Sequence, residues 1–376
     1  MDFAFSPEQE QLRDSVAAYL RDRYPFETRR AIALSDRGWS EPVWRDFADR
    51  LGLLSLADPD APPPDPVDLM VVVEQFGAAL VIEPFLETVV TGASLLRASG
   101  TDTARTLLRG IAAGDERLAL AWGEPGTRHG WAAARTVATR DGAGWRLDGV
   151  KSVVIGAPWA TTLLVAARAP EGVLVFAVDP AAPGLTAHPY PTIDGRRAAD
   201  LRFDHVPLDP SALLLDADRA LPALEAVGDA SVAALCAEAV GVTGRMLDDT
   251  IAYTRERRQF GQPISQFQAL QHRMVDMYMK REMAASAVYL ATLSLGAPAR
   301  ERARAASVAK VTVGEACRFI GQHAIQLHGG MGMTDALAVG HYFKRATVIE
   351  GEFGSPDDHL ARFAALTETS RKMPAA

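Results

Sequence analysis

Three arginines, Arg255, Arg257 and Arg258, crowd the segment YTRERRQFGQPISQFQ from Tyr253 to Gln268. Their planar guanidinium donors suit phosphate oxygens, and the Phe260-Gly261 pair behind them makes a sharp break where backbone can come close to a ligand. The chemistry this predicts is a pyrophosphate grip. Taken alone, the same residues also read as a helix C-terminus whose cations favour its dipole. A second segment, Gln326 to Thr334 (QLHGGMGMT), puts three glycines after the helical stretch that bears Cys317. Glycines there allow positive φ and expose N–H groups to a ligand, or simply stop the helix.

Other reactive residue types carry less. Cys236 and Cys317 lie in apolar helical patterns without CxxC spacing, which predicts small core residues rather than a disulfide or a zinc site. His205, His323, His341 and His359 have no metal-ligand spacing, so no metal is expected. His328 sits inside the glycine segment, either beside a ligand or as a packed neighbour. Met274, Met277, Met279 and Met283 recur along one helix as core or subunit-interface packing. Glu238, mid-helix in an apolar run, is a secondary candidate for a general base.

The elements that must position these residues fall into three stretches. From Phe5 to about Gly114 the chain reads as helices: Ser6-Pro7-Glu8 and Ser40-Glu41-Pro42 are helix starts, and further helices fit Leu69 to Leu80, Glu83 to Ser99 and Asp102 to Ala113. The proline-rich stretch Ala57 to Asp68 is a stiff loop. Short apolar runs then follow at Leu118 to Trp122, Thr136 to Thr139, Trp145 to Leu147, Thr162 to Ala167, Val173 to Val178 and Leu201 to Phe203. Asp141-Gly142 and Asp148-Gly149 mark hairpin turns between them, which predicts an antiparallel sheet. After Pro222 the helical period returns, with long helices at Ala230 to Tyr253, Phe267 to Leu295 and about Ala299 to Leu327. The expected fold is α+β, with domains at 1–118, 119–225 and 226–376 and the last one a helical bundle.

Composition sets the class. Hydrophobic residues make up 48% of the 376 and charged ones 23%, values that fit neither a disordered chain nor a membrane protein. Apolar runs such as Val71 to Val73 are too short to span a bilayer, and MDFAFSPEQEQLRDSV lacks the pattern of a secretory signal, so a cytoplasmic location is expected. A formal charge of -8 opposes nonspecific attraction to nucleic acid.

The Arg257-to-Gly261 and Gln326-to-Gly330 segments, with the helix AVGVTGRMLDDTIAYTRERRQFG, resemble the acyl-CoA dehydrogenase family over nearly the whole chain. The resemblance implies an N-terminal helical domain, a middle β-domain, a C-terminal four-helix bundle and FAD as cofactor. It also implies that Arg257, Phe260, Gln268, Gln326, Gly329 and Gly330 bind the adenine and pyrophosphate of FAD held mainly by a neighbouring subunit. The flavin-ring side departs from the family. Its T-E-P-x-A-G-S segment is Gly123-Glu124-Pro125-Gly126-Thr127-Arg128-His129 here, and its W-I-T after a G-x-K turn is Val153-Val154-Ile155.

Family chemistry removes an α-proton with a carboxylate while hydride passes from the β-carbon to the flavin. Counted from the glycine pair, the position of that glutamate holds Phe353, and Glu352 lies one residue earlier. The alternative family position falls near Ser231, with Val232 in place of an adjacent arginine. Neither position holds a carboxylate. The runs LQHRMVDM (Leu270 to Met277), QLHGGMGMT and GHYFKR (Gly340 to Arg345) resemble the small subunit of pimeloyl-CoA dehydrogenase-like heteromers, which completes the FAD pocket of a catalytic large subunit. This implies a heterotetramer with a homologous subunit, an acyl-CoA substrate and an acceptor such as electron-transfer flavoprotein. Three other readings stay open: a self-contained homotetramer with Glu352 as a relocated base, a scaffolding subunit that has lost FAD, and a flavin oxidase or monooxygenase on the same fold, since reduced flavin can also meet oxygen.

Overall fold

The computed structural model describes residues 5–127 and 130–371. Along the chain come α1 (Pro7–Arg23), α2 (Phe26–Leu34), α3 (Glu41–Asp49), α4 (Pro66–Ala79), a π-helical stretch (Leu86–Gly92), α5 (Ala93–Ser99) and α6 (Asp102–Ala112). The strands follow as β1 (Leu118–Ala121), β2 (Val137–Asp141), β3 (Gly144–Ile155), β4 (Thr162–Ala169), β5 (Gly172–Val178), β6 (Leu185–Pro191), β7 (Arg197–Leu208) and β8 (Leu213–Leu215). Then come α7 (Ala217–Glu256), the short strands β9 (Arg258–Gln259) and β10 (Gln262–Pro263), α8 (Gln268–Leu293), α9 (Ala299–His328), α10 (Ala338–Gly351) and α11 (Pro356–Arg371).

The chain groups into two compact units. One comprises Met1–Ala31, Asp65–Val81 and Val232–Ala376, and the other Ile32–Pro64 and Ile82–Ser231. In the first, the α-helices form because the expected signals are present. Ser6 and Gln9 close a reciprocal capping box on α1, and Asp65 accepts from the amide of Val67 to cap α4. The small residues that the sequence places in α7 have a packing role. A Cβ at Gly77 of α4 would meet the Glu238 carbonyl at 2.0 Å, and one at Gly241 of α7 would meet the Glu74 carbonyl at 1.9 Å. The two helices therefore touch backbone to backbone, and alanine at either position would cost about 1–3 kcal/mol in overpacking.

The second unit is built on an eight-stranded sheet in the order β6-β7-β3-β2-β4-β5-β8, with β1 beside β4. Its core is Trp145, Leu147, Leu163, Val165, Phe176, Leu201 and their neighbours, the inward residues of alternating strands. Most pairings are antiparallel as expected, but β1 and β2 each pair with β4 in parallel. The cause is chain order: β1 and β4 are separated by the whole β2–β3 hairpin, so they can run the same way.

Three local expectations need correction. Asp141-Gly142 does turn β2 into β3, but Asp148-Gly149 lies inside β3 as a bulge, where a Cβ on Gly149 would sit 2.6 Å from the Thr136 Cα. The Glu83 to Ser99 stretch is not one regular helix, since its first part is π-helical and wholly buried. Helix α7 begins at Ala217 and carries Pro222 within its early turns, well ahead of the expected start at Ala230. Strand β6, with Pro189 and Pro191, gave no strand signal because proline is confined to sheet edges, and β6 is an edge. Among the described residues α7 is also the helix long and apolar enough to cross a membrane; the relevant window has mean hydropathy 1.4 and is 67% buried inside the fold.

Candidate cofactor and active site

The end of α7 runs into a two-residue hairpin. β9 and β10 pair Gln259 with Gln262, so Phe260 and Gly261 form the turn, with φ of 53° and 80°. Positive φ at both places is the type I′ geometry that favours Asn-Gly, and an aromatic at the first is an outlier. Phe260 is 90% exposed, touching the edge of Phe267 with ring centroids 6.1 Å apart. A strained, solvated phenyl ring is one the chain keeps for something other than its own core.

The expected grip residues lie on this same surface of the first unit. Tyr253 stacks on His328 at 4.4 Å between ring centroids and donates its hydroxyl to the His328 carbonyl (3.3 Å), which ties the C-terminal ends of α7 and α9 together. Arg257, Gln326, Gly329 and Gly330 are all exposed there, and Gln268 is exposed at the first turn of α8. Arg257 makes no ion pair among the described residues. Gly329 has φ 59°, and a Cβ at Gly329, Gly330 or Gly261 would meet nothing within 4 Å. Positive φ accounts for glycine at 261 and 329; at Gly330, whose φ is not positive, protein packing does not demand glycine, whereas an approaching ligand would. A free guanidinium, two amide side chains, an exposed ring and bare backbone are the donor set a dinucleotide requires, so the residues fit the adenine and pyrophosphate of FAD. His328 itself is packed, its Nδ1 2.8 Å from the Ala324 carbonyl oxygen.

On the flavin-ring side, in the second unit, Glu124 is turned inward. Its carboxylate accepts from Lys151 Nζ (2.6 Å) and from the amides of Arg135 (2.6 Å) and Thr136 (2.9 Å). Burial pushes the Glu124 carboxyl up, but the hydrogen bonds from Lys151 and Thr136 outweigh it and leave the pKa below its ordinary value. Lys151 is fully buried, and burial lowers its pKa. Val153, in place of an aromatic, is exposed at φ 54° with its amide on Asp200. Arg128 and His129 lie outside the described residues.

The base positions are occupied by structural groups. Arg345 on α10 is buried and forks onto both oxygens of Glu238 at 2.6 and 2.7 Å, while its third nitrogen reaches Glu352 Oε2 at 3.2 Å. One guanidinium thus holds both carboxylates that stand as alternative bases. Lys310, also buried, donates to the carbonyls of Ile349 and Glu352 and pins the end of α10. Phe353 has φ 56°, and its carbonyl oxygen lies 3.0 Å from His359 Nε2. Ser355 is taken up in capping α11, its hydroxyl donating to Asp358 (2.6 Å). At the other position Ser231 is buried and hydrogen-bonded to Thr91 (2.8 Å).

Sequence reasoning missed Arg345 and Lys310. The available signal was a lone cation at an apolar-face position of each helix, the same pattern that singled out Glu238. Both cysteines are buried, with thiols pushed up to about 12 by burial. Asp148, Asp204 and His205 come within 4.8 Å of one another, but Asp148 is already engaged by the His205 amide and ring.

Two family models match the chain: the acyl-CoA dehydrogenase C-terminal domain over residues 230–365 and the acyl-CoA dehydrogenase middle domain over residues 119–206. Acyl-CoA dehydrogenase IpdE2 of Mycolicibacterium smegmatis is 28% identical over 363 residues, covering 96% of this chain and 99% of its own. Among solved structures, the Tcur3481-Tcur3483 steroid ACAD matches at 32% identity over 97% of this chain and 99% of that one, with a TM-score of 0.87. A chain of the ChsE4-ChsE5 complex from Mycobacterium tuberculosis matches at 25% identity over the full length of both, with a TM-score of 0.88.

Proposed function

This chain belongs to the acyl-CoA dehydrogenase family, whose cofactor is FAD, and from that premise we propose that it is the subunit that completes another subunit's FAD site rather than one that carries its own base. FAD, when bound, supplies the hydride acceptor for desaturation of an acyl-CoA thioester at its α,β carbons. In this reading Arg257 neutralises pyrophosphate charge, Gln268 and Gln326 hydrogen-bond to the cofactor, Phe260 packs on it, and Gly329-Gly330 let the backbone approach. The homologous partner supplies the glutamate and most of the ring pocket.

The observation that carries the reading is the Arg345 fork. A carboxylate clamped by a buried guanidinium is a poor acceptor for a carbon-bound proton, since protonation would strand the cation. Two further facts support it: the grip residues are exposed and unpaired, and α8 carries an exposed apolar stripe along one face. The 32% identity to the steroid ACAD supports a steroid-derived acyl-CoA as substrate class, and the paired chains of the ChsE4-ChsE5 complex support a heteromer. Electron-transfer flavoprotein as acceptor, a cytoplasmic location and the three sequential domains divided at 118/119 and 225/226 belong to the same proposal.

The test is the visible spectrum and native mass of the chain alone and after co-expression with a homologous partner. A colourless lone chain that becomes yellow, heteromeric and reducible by acyl-CoA is the expected result. A yellow homotetramer that bleaches alone with an acyl-CoA would overturn the proposal and return attention to Glu352. Within the complex, Arg257→Ala should lower FAD retention through gel filtration at least about tenfold, as loss of a charge-assisted contact of ~1.5–3 kcal/mol implies. Full FAD occupancy in that variant would remove the assigned role.

A further inference from the structure

In the second unit the loop between α2 and α3 lies over the ends of β6 and β7 and the start of β4. It leaves a cavity of ≈ 690 Å³ there, within the ~300–1,000 Å³ typical of small-molecule sites. Arg37, Arg117 and Arg197 line it. Arg37 is paired with Glu41 at 3.0 Å. Arg117 and Arg197 have no carboxylate within ion-pair distance among the described residues.

Arg117 is half-buried and held in place, with Nε donating to the Trp159 carbonyl (2.9 Å) and the guanidinium 4.8 Å from the Trp39 ring centroid. Burial lowers its pKa, and the nearby carboxylates of Glu41, which also lines the cavity, and Glu116 act in the opposite direction without pairing with it. Arg197 gives one nitrogen to the Ser35 carbonyl (3.0 Å). The loop above is built around it: Gly38 has φ 67°, and a Cβ there would lie 2.4 Å from Arg197 Nε, while Trp159 Nε1 holds the Arg37 carbonyl at 2.8 Å. Each guanidinium keeps N–H groups without a protein acceptor. Trp39, Tyr190, Pro189 and Pro191 also line the cavity, with Tyr190 fixed by its hydroxyl on Asp200 (2.9 Å).

Two guanidinium groups without an ion pair, beside aromatic and proline side chains, match a ligand with a planar ring and an oxyanion of high charge. We propose that this cavity binds a nucleoside phosphate, the phosphates on Arg117 and Arg197 and the base against the Trp39–Tyr190 wall. Asp36 at the rim offers an acceptor for ribose hydroxyls. The ligand is either a free nucleotide or the nucleotide end of coenzyme A.

The experiment is calorimetric titration of the FAD-saturated protein with ADP, so that FAD's own adenine site is filled. ADP should bind once per copy of this chain, and pyrophosphate at least about tenfold more weakly. Arg117→Gln and Arg197→Gln should each weaken ADP about tenfold or more with FAD content unchanged. Pro191→Glu, on the exposed wall, should do the same without touching either arginine. Coenzyme A that displaces ADP identifies the coenzyme as the source, and coenzyme A that leaves ADP bound identifies a free nucleotide. Absence of ADP binding at millimolar concentration, equal affinity for pyrophosphate, or affinity unchanged in all three variants would overturn the proposal.

Discussion

A carboxylate that is to take a proton from carbon must be free of whatever holds its negative charge, and Glu352 and Glu238 both place that charge against Arg345. Glu352→Gln should therefore change the rate of flavin reduction by acyl-CoA in the complex less than about threefold, whereas loss of a working base costs ~10²–10⁴. Stopped-flow bleaching of the flavin measures it, and a drop of a hundredfold would make Glu352 the base. Phe260 offers the opposite experiment. Its left-handed backbone costs about 1–3 kcal/mol, and asparagine tolerates that conformation. Phe260→Asn should raise stability toward urea by about 1 kcal/mol while FAD dissociates faster from the complex. A variant that is more stable and retains FAD as well as the wild type would leave the ring without a role at the cofactor.

At the scale of elements, the buried Glu124–Lys151 pair links the turn after β1 to the centre of β3. The Glu124 pKa is depressed in the fold, so its stabilisation is complete above the ordinary value of 4.5 and is lost as pH falls through the lower folded value. Removing one partner of such a pair costs about 3–5 kcal/mol near neutral pH. Urea unfolding of the wild type and Glu124→Gln should show that gap at pH 7 and a narrowing gap below pH 4.5. A gap independent of pH would mean that shape, not charge, joins the turn to the strand. Motifs alone marked Glu124 and the lysine of the Gly149-to-Lys151 turn as separate features; their meeting depends on the parallel β1–β4 pairing and the bulge at Gly149. No local pattern encodes either of those.

At the scale of the whole molecule, α8 presents Val275, Tyr278, Met279, Met283, Leu290 and Leu293 to solvent, each more than half exposed, at spacings that put them along one helix face. Met277, on the other side of the same helix, is buried, which separates core from surface among the methionines that the sequence grouped together. In the proposed heteromer this exposed stripe is the subunit contact. Met279→Glu combined with Met283→Glu should shift native mass to a smaller species with far-UV circular dichroism unchanged. An unchanged mass would place the assembly contact elsewhere.

The sequence by itself determined the α, β, α order of elements, most helix starts, the two buried cysteines and the surface motifs at the ends of α7 and α9. These follow from local causes: hydrophobic period, capping side chains, and glycines at turns that need positive φ. Only the tertiary structure decided that Glu238, 107 residues before Arg345, and Glu352, seven after it, share one guanidinium. It also decided that Asp148-Gly149 bends a strand rather than ending it, and that Arg117 and Arg197 face one cavity with no carboxylate at ion-pair distance among the described residues. The physical reason is that a charge's partner, and so its chemistry, is set by which elements pack together. That packing is chosen by burial of the whole apolar surface rather than by any short stretch of residues.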